Sequence, residues 1–442
     1  MVLCGRAHST LESQGDNLAK RTVPVTRVYY GWIIVAAMIA IGGMTMIITG
    51  PTFSLFIDPM QEDLGFSTQL FGWANTARIL TAAVSGLYIG KLLDRHGPRI
   101  LLAIAGSVTA LVAISMGFFH PAWWLIGGFM AMGLVAMQGP ASFYTSPSVA
   151  KWFVRDRAKA LGILSIAAPA GLIFGFPATE WIIDKHGWET GWVVMGVASI
   201  VVIIPVSLIF LRRQPEDIGL LPDGDVPSEE ESTGDALVSG ASTEHQWTRA
   251  EAIRTREFWQ LSTVFSLFVL ATNSMLIFRV VHFVSNGVDP SLIAWGAGSA
   301  QLGAILGAVT MGRQVAFAGL ERLSALNILV MVACFVLTVS MATPLMMIVA
   351  MYTWSWSNNM NGALQGTLFA SYFGRRHAGA IRSVSLTTNM LFAAAAAPLA
   401  GYVNDATGSF NAIWWPMIGV LLLSAFLMAT SKPPKLRVKA TA

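Results

Sequence analysis

Two arginines stand where arginine is costly. Arg78 and Arg279 each interrupt a long stretch of otherwise uncharged, mostly apolar residues, and neither stretch contains an acidic partner. A guanidinium is a planar fork of five donors that matches a carboxylate. Two of them without a neighbouring acid point to a cavity that takes a small anion. The competing reading is that the long side chains reach out to a polar boundary; Arg279 lies only a few residues from the end of its stretch. His282 follows Arg279 by one helical turn on the same face, so it either joins that site and titrates there or serves as a hydrogen-bonded structural histidine.

Polar stripes supply further candidates. Asn358, Asn361 and Gln365 are offset by three and seven residues and share one helical face. Gln138, Ser142 and Thr145 repeat similarly, with Tyr144 beside them. Thr45 and Thr49 form a shorter pair. Such stripes either line a cavity or bond helices to one another. The asparagine stripe is assigned to the cavity, the threonines to hydrogen bonding between helices, and Trp354 and Trp356 to packing. Enzyme chemistry finds no support. There is no zinc-type His-Glu-x-x-His pair, nucleophile elbow or phosphate loop. Cys4 and Cys334 are far apart and suggest neither a disulfide nor a metal site. No cofactor or metal is expected.

The elements that must position these residues follow from composition. Of 442 residues, 54% are hydrophobic and only 12% charged. Soluble proteins carry about 25% charged residues. The first uncharged stretch runs from Arg27 to Asp58. Eleven more lie near 70–92, 100–119, 122–148, 160–179, 190–211, 258–278, 291–312, 323–342, 344–370, 383–403 and 411–430. A helix needs about 20 apolar residues to cross the hydrocarbon core. The chain is therefore expected to be an all-α membrane protein of twelve transmembrane helices. The polar first 29 residues and the long first span do not resemble a cleavable signal.

Charge placement sets the orientation. Counted by connection, Lys and Arg alternate, with 25 on one set and Lys185 alone on the other. The positive-inside rule then puts both termini and the central connection in the cytoplasm, as expected of an inner (plasma) membrane protein. The net charge of +4 is a topological signal, and no nucleic-acid partner is expected.

The chain also repeats itself. Lys151-Trp-Phe-Val-Arg-Asp-Arg-Ala-Lys-Ala-Leu161 has a counterpart in Ser371-Tyr-Phe-Gly-Arg-Arg-His-Ala-Gly-Ala-Ile381, and Trp181, Asp184 and Gly187 have counterparts in Tyr402, Asp405 and Gly408. The division expected is a tail (1–29), a six-helix bundle (30–212), a polar acidic linker (213–257), a second six-helix bundle (258–430) and a tail (431–442). A short surface helix is expected within Gln246–Glu257. Two such halves with a binding site between them form a transporter architecture that works by alternating access.

Specific motifs agree. Gly86-Leu-Tyr-Ile-Gly90-Lys-Leu-Leu-Asp94-Arg95-His-Gly97-Pro-Arg99 resembles the motif after the second helix in the major facilitator superfamily. The stretches 152–163 and 370–381, with Gly401-Tyr-Val-Asn-Asp405-Ala-Thr-Gly408, are similar to the branch holding monocarboxylate porters and oxalate–formate antiporters. The resemblance covers roughly residues 30–430 and implies two pseudo-symmetric six-helix bundles, with the first, fourth, seventh and tenth helices lining the cavity. Gly90, Asp94, Arg95, Gly97 and Arg99 would then act in gating, Asp94 as an acceptor that latches the halves. At the matching place in the second half, Gly312-Arg313 lacks the acid.

The sequence also departs from that branch. Residues 291–312 contain neither Asp nor Arg, the first helix has no lysine, and only Arg382 is available in the eleventh. Substrate and coupling therefore do not carry over. The function expected is secondary transport of a small organic anion, a mono- or dicarboxylate, by proton symport or anion exchange. Candidate substrate-binding residues are Arg78, Arg279, His282, Asn358, Asn361, Gln365, Gln138 and Tyr144. Candidate proton carriers are Asp58, Glu180, Asp184 and His282. The alternatives are efflux of an amphipathic drug-like compound and a non-transporting receptor.

Overall fold

The structure, a computed structural model, describes residues 29–137, 144–153, 155–221, 223, 247–340, 343–374 and 378–434, and these contain no strand. Twelve helical rods follow one another. The first is Tyr30–Thr49, continued through the turn Pro51–Phe53 into Ser54–Leu64. The second to fourth are Thr68–His96, Pro98–Met116 and the pair Ala122–Leu134 with Thr145–Trp152. The fifth and sixth are Arg157–Leu164 with the two arms of Ala167–Phe210. The last six are Arg256–Ser285, Pro290–Ser299 with Gln301–Ala318, Leu320–Val339, Pro344–Phe373, Ala378–Thr407 and Asn411–Ala429.

Seven continuous stretches are long and apolar enough to cross a membrane unaided. One of them, Lys159–Phe210, reverses at Gly187, whose φ of 83° suits glycine, and so supplies parts of two spans. The second, fourth, eighth and tenth spans fall short because they carry charges, breaks or polar stripes. Around the outside, exposed apolar side chains such as Val84, Leu111, Phe174, Val201, Leu306 and Phe426 suit lipid rather than water. The short helix expected in the last part of the linker is Arg249–Ile253, begun by a capping box between Thr248 and Glu251. Most of the acidic linker lies outside the described residues.

Within each half, small residues let helices touch. The first and fifth spans meet at Gly43 and Gly171, where a Cβ on Gly171 would stand 2.5 Å from the Gly43 carbonyl oxygen. Between halves, three pairings form the seam: second with eleventh, fifth with eighth, and seventh with the extension of the first.

The seam is tightest at the end opposite the termini. A Cβ on Gly72 would meet the Ala397 backbone at 2.7 Å, and one on Gly401 would meet Gln69 at the same distance. Gly298 of the eighth span lies as close to the Ile173 carbonyl of the fifth, 2.8 Å from an added Cβ. Leu55, Leu172 and Phe176 from the first half pack with Val280, Phe283, Ile293 and Met351 from the second. Polar contacts join these. Thr76 donates to the Ala394 carbonyl, and Asn404 Nδ2 donates to Thr68 Oγ1 at 3.1 Å.

Asp405 makes the most specific of these contacts. The first turn of a helix leaves its N–H groups without partners in that helix. In the second span, Ser67 Oγ takes the N–H of Leu70. Asp405, from the other half, accepts from Thr68 N at 3.1 Å and Gln69 N at 2.9 Å. A carboxylate of one bundle thus caps a helix of the other, favourably placed against its dipole. The repeat counterpart Asp184 does otherwise. It pairs with Lys185 at 2.9 Å, and the eighth span is capped by its own Asp289.

Removing a cap costs about 1 kcal/mol, roughly a fivefold change in a two-state population. With spin labels at Glu62 and Ser409, Asp405→Ala is expected to add a longer-distance population to the double electron–electron resonance trace. An unchanged distribution would deny the cap a role in holding the halves together.

Candidate substrate cavity

A break in the first span prepares the site. Pro51 has no N–H to continue the helix, and the chain passes through Gly50, whose extended ψ of −155° leaves the helical region. The carbonyls at the end of Tyr30–Thr49 lose their helical partners. Thr52 Oγ1 donates to one of them, that of Ile47. Arg78 Nη1 donates to another, that of Thr49. The guanidinium therefore sits at a helix C-terminus, where the peptide dipoles favour a cation. Its Nη2 also donates to Asn75 Oδ1 at 2.8 Å, one turn back on the second span. Its Nε is buried and has no partner. Gly133 permits this placement, since a Cβ there would meet Arg78 Cα at 3.0 Å.

Arg78 faces open space between the halves. One cavity of about 210 Å³ is lined by Met46, Thr49, Phe53, Asn75, Arg78 and Ile79 from the first half and by Asn273, Leu276 and Ile277 from the seventh span. A second of about 230 Å³ adjoins it through Arg78, Ile79 and Asn273, and reaches Met390 and Ala393 of the eleventh. No carboxyl or imidazole side chain lines either one among the described residues. Arg78 is the cation of a largely apolar chamber with two amides near it.

The other arginine is not in this chamber. Arg279 is 2% exposed and its guanidinium lies 4.6 Å from the centre of the Trp354 ring. None of its three nitrogens has a hydrogen-bond partner. Cys334, Thr338, Ala350 and Met351 surround it inside the second half. Helical phase explains this. Asn273, Leu276 and Ile277 share one face of the seventh span, whereas Met275, Arg279 and His282 share the opposite one, toward the ninth and tenth spans. The expected clamp of two arginines is not assembled in this conformation. Stacking on Trp354 replaces it, so packing was too small a role for that ring.

The other substrate-binding candidates among the described residues also sit apart from the cavities. His282 Nε2 lies 3.3 Å from the Thr338 carbonyl, the structural role open to it. Gln365 donates to Ser385 of the eleventh span at 3.3 Å, Asn361 is buried, and Asn358 is exposed without lining either cavity. The stripe expected to line a cavity is therefore, at Gln365, a bond between helices. Tyr144 is buried and donates to the Val135 carbonyl at 2.7 Å, joining the start of Thr145–Trp152 to the end of Ala122–Leu134. Gln138 and Ser142 lie outside the described residues. Thr45 and Thr49 bond back to their own helix, at 2.7 Å and 2.8 Å. Thr49 also lines the cavity and offers the carbonyl that holds Arg78.

In the gating motif, Gly97 turns with a φ of 75° against Arg213, whose Cβ would be 2.9 Å from an added Cβ. Arg95 and Arg99 are exposed. Gly90 and the side chain of Asp94 lie outside what is described. Sequence reasoning missed Asn75 and Asn273. Asn75 precedes Arg78 by one turn, and Asn273 is an isolated amide within an apolar span; both signals were available.

A twelve-span bundle of two halves around a central cavity that holds a buried cation defines a membrane transporter. The sequence model of the Major Facilitator Superfamily matches residues 32–286, and the chain belongs to that superfamily. It is 23% identical over 388 residues to a probable galactarate/D-glucarate transporter of Bacillus subtilis, covering 81% of this chain and 83% of that one. It is 21% identical over 173 residues to monocarboxylate transporter 11 of Mus musculus, covering 39% and 38%. Among solved structures, it superposes on a bacterial homologue of the lysosomal transporter Spinster, inward-facing and occupied, with a TM-score of 0.64 at 14% identity, covering 92% and 94%. The nucleoside transporter NupG superposes with a TM-score of 0.67 at 11% identity, covering 91% and 100%.

Since Arg279 makes no hydrogen bond, only its stacking on Trp354 offsets the cost of burying its charge, and the two nearly cancel. Arg279→Met should keep the apparent Tm in detergent within a few degrees of wild type, whereas Trp354→Ala, which opens a void and strips the cation of its ring, should lower it clearly. Collapse of the methionine variant on purification would show that the guanidinium has a partner essential to the fold.

Proposed function

We propose that this transporter carries a small organic anion, a mono- or dicarboxylate, bound to Arg78 in the cavity between the halves. The observation that carries the reading is the guanidinium itself. It is fixed by Thr49 and Asn75, retains an unpartnered buried Nε, and faces a chamber without an acid. A carboxylate would complete its fork. The same charge opposes a cationic drug-like cargo. The relatives' names support the choice of acids, since they include transporters of sugar acids and of monocarboxylates.

With both termini and the linker in the cytoplasm, as the lysine and arginine count favours, the closed end of the seam faces outward. The cavity then serves the cytoplasmic side in this conformation, and rocking about the seam delivers it to the other. Of the candidate proton carriers, Asp58, Glu180, Asp184 and His282 line neither cavity. That favours anion exchange over proton symport.

Uptake of labelled lactate, pyruvate, galactonate and galactarate into proteoliposomes tests this, with and without an acid gradient or internal acid. Uptake is expected to depend on internal counter-substrate and to fall at least about a hundredfold in Arg78→Ala, the scale of a lost charge-assisted pair. Wild-type uptake by an inserted Arg78→Ala protein would remove Arg78 from the site. Uptake driven by inward acid without counter-substrate would replace exchange with symport.

A further inference from the structure

The two walls of the cavity differ in what they can offer a ligand. The first half contributes Arg78, Asn75 and the Thr49 carbonyl. The second contributes Leu276, Ile277, Met390 and Ala393, together with a single polar side chain, Asn273. Asn273 belongs to the lining of both cavities, so it stands where they join, across from Arg78. Its Nδ2 donates to the Val269 carbonyl of its own helix at 3.1 Å. Among the described residues its Oδ1 accepts nothing, and one N–H is unused. The amide is part-buried and held in place, with a donor and an acceptor left over.

A carrier built of two rocking halves moves its cargo only if the cargo changes the balance between two conformations. A ligand with equal affinity for both shifts nothing, however tightly it binds. An acid attached to Arg78 alone would interact with one half and leave the seam unaffected. To draw the halves together it must touch the other wall, and the described lining has one polar group there.

We infer that Asn273 is the residue by which the second half grips an acid anchored on Arg78, and that this grip couples binding to closure of the cavity. The inference rests on the reading of Arg78 as the anion anchor. Asn273 is a positioning residue: Arg78 supplies the affinity and Asn273 the second contact. An amide can donate to a carboxylate oxygen or exchange bonds with a hydroxyl or keto oxygen. The cargo class this selects is a small acid bearing a second oxygen function close to its carboxylate, a hydroxy or oxo acid, with the apolar walls from Met46, Ile79, Leu276 and Ile277 around its carbon skeleton.

The experiment compares wild type, Asn273→Leu, Asn273→Gln and Arg78→Gln, all checked for monodispersity and apparent Tm. Leucine keeps the branched outline of asparagine, is somewhat larger, and lacks its polar atoms. Lactate, galactonate and galactarate are the probes, with Kd from thermal-shift titration in detergent and Vmax from counterflow in proteoliposomes. In Asn273→Leu, Vmax should fall about tenfold or more while Kd changes by no more than about threefold, and Asn273→Gln should recover part of the Vmax. Arg78→Gln should lose binding itself. Wild-type Vmax in Asn273→Leu overturns the inference and leaves the Arg78 site intact. Loss of binding in Asn273→Leu as complete as in Arg78→Gln also overturns it, because Asn273 would then be an equal anchor rather than a coupler. Wild-type binding by Arg78→Gln, or no transport of any probe by wild type, removes the reading on which the inference rests.

Discussion

Inside a bilayer no cation and no backbone carbonyl can be left without a partner cheaply, and this molecule makes one shortage answer another. Pro51 breaks the first span and frees the Thr49 carbonyl. Arg78, a charge with no acid in reach, takes that carbonyl and Asn75 Oδ1. Two elements of the first half are thereby tied together, and the guanidinium lines the cavity while its buried Nε stays unpartnered. The break, the buried charge and the cavity are one arrangement. Restoring a regular helix at Gly50-Pro51 would withdraw the carbonyl and leave the arginine to find another.

The second requirement is that the halves meet closely and still part. At the second–eleventh seam their closed end uses contacts that are short-ranged and independent of side-chain bulk. Gly72 and Gly401 bring helices to backbone distance, and Asp405 caps the second span from the other bundle. Such contacts lose their energy over a small separation, unlike an interlocked apolar core. They suit a seam that opens as a unit. The internal repeat is imperfect here. The span facing the fifth is capped within its own half by Asp289, so Asp184 carries no equivalent bond. The second–eleventh seam holds a polar latch, and the fifth–eighth seam relies on packing of Leu172, Phe176, Ile293 and Ala297.

Much of this could be read from residue order. Uncharged stretches mark the twelve spans because crossing hydrocarbon has a fixed length. Arg78 announces itself because a charge within such a stretch must face something polar. The fates of Arg279 and Asn273 were not legible in the same way. They lie six residues apart on one helix, and which of them faces the partner half depends on the helix's rotation, set by packing against three neighbours. Arg279 turned into its own bundle against Trp354. The tenth-span stripe shows the same limit: periodicity placed Asn361 and Gln365 on one face but could not say that Ser385 lay opposite.

The most direct measurement is a structure of the purified protein with a transported acid bound. The expected result is a carboxylate against the free Nε edge of Arg78, its second oxygen function within hydrogen-bond reach of Asn273, and the chamber contracted around it. Density for the acid beside Arg279 within the second half, with Arg78 untouched, would contradict the assignment of the site.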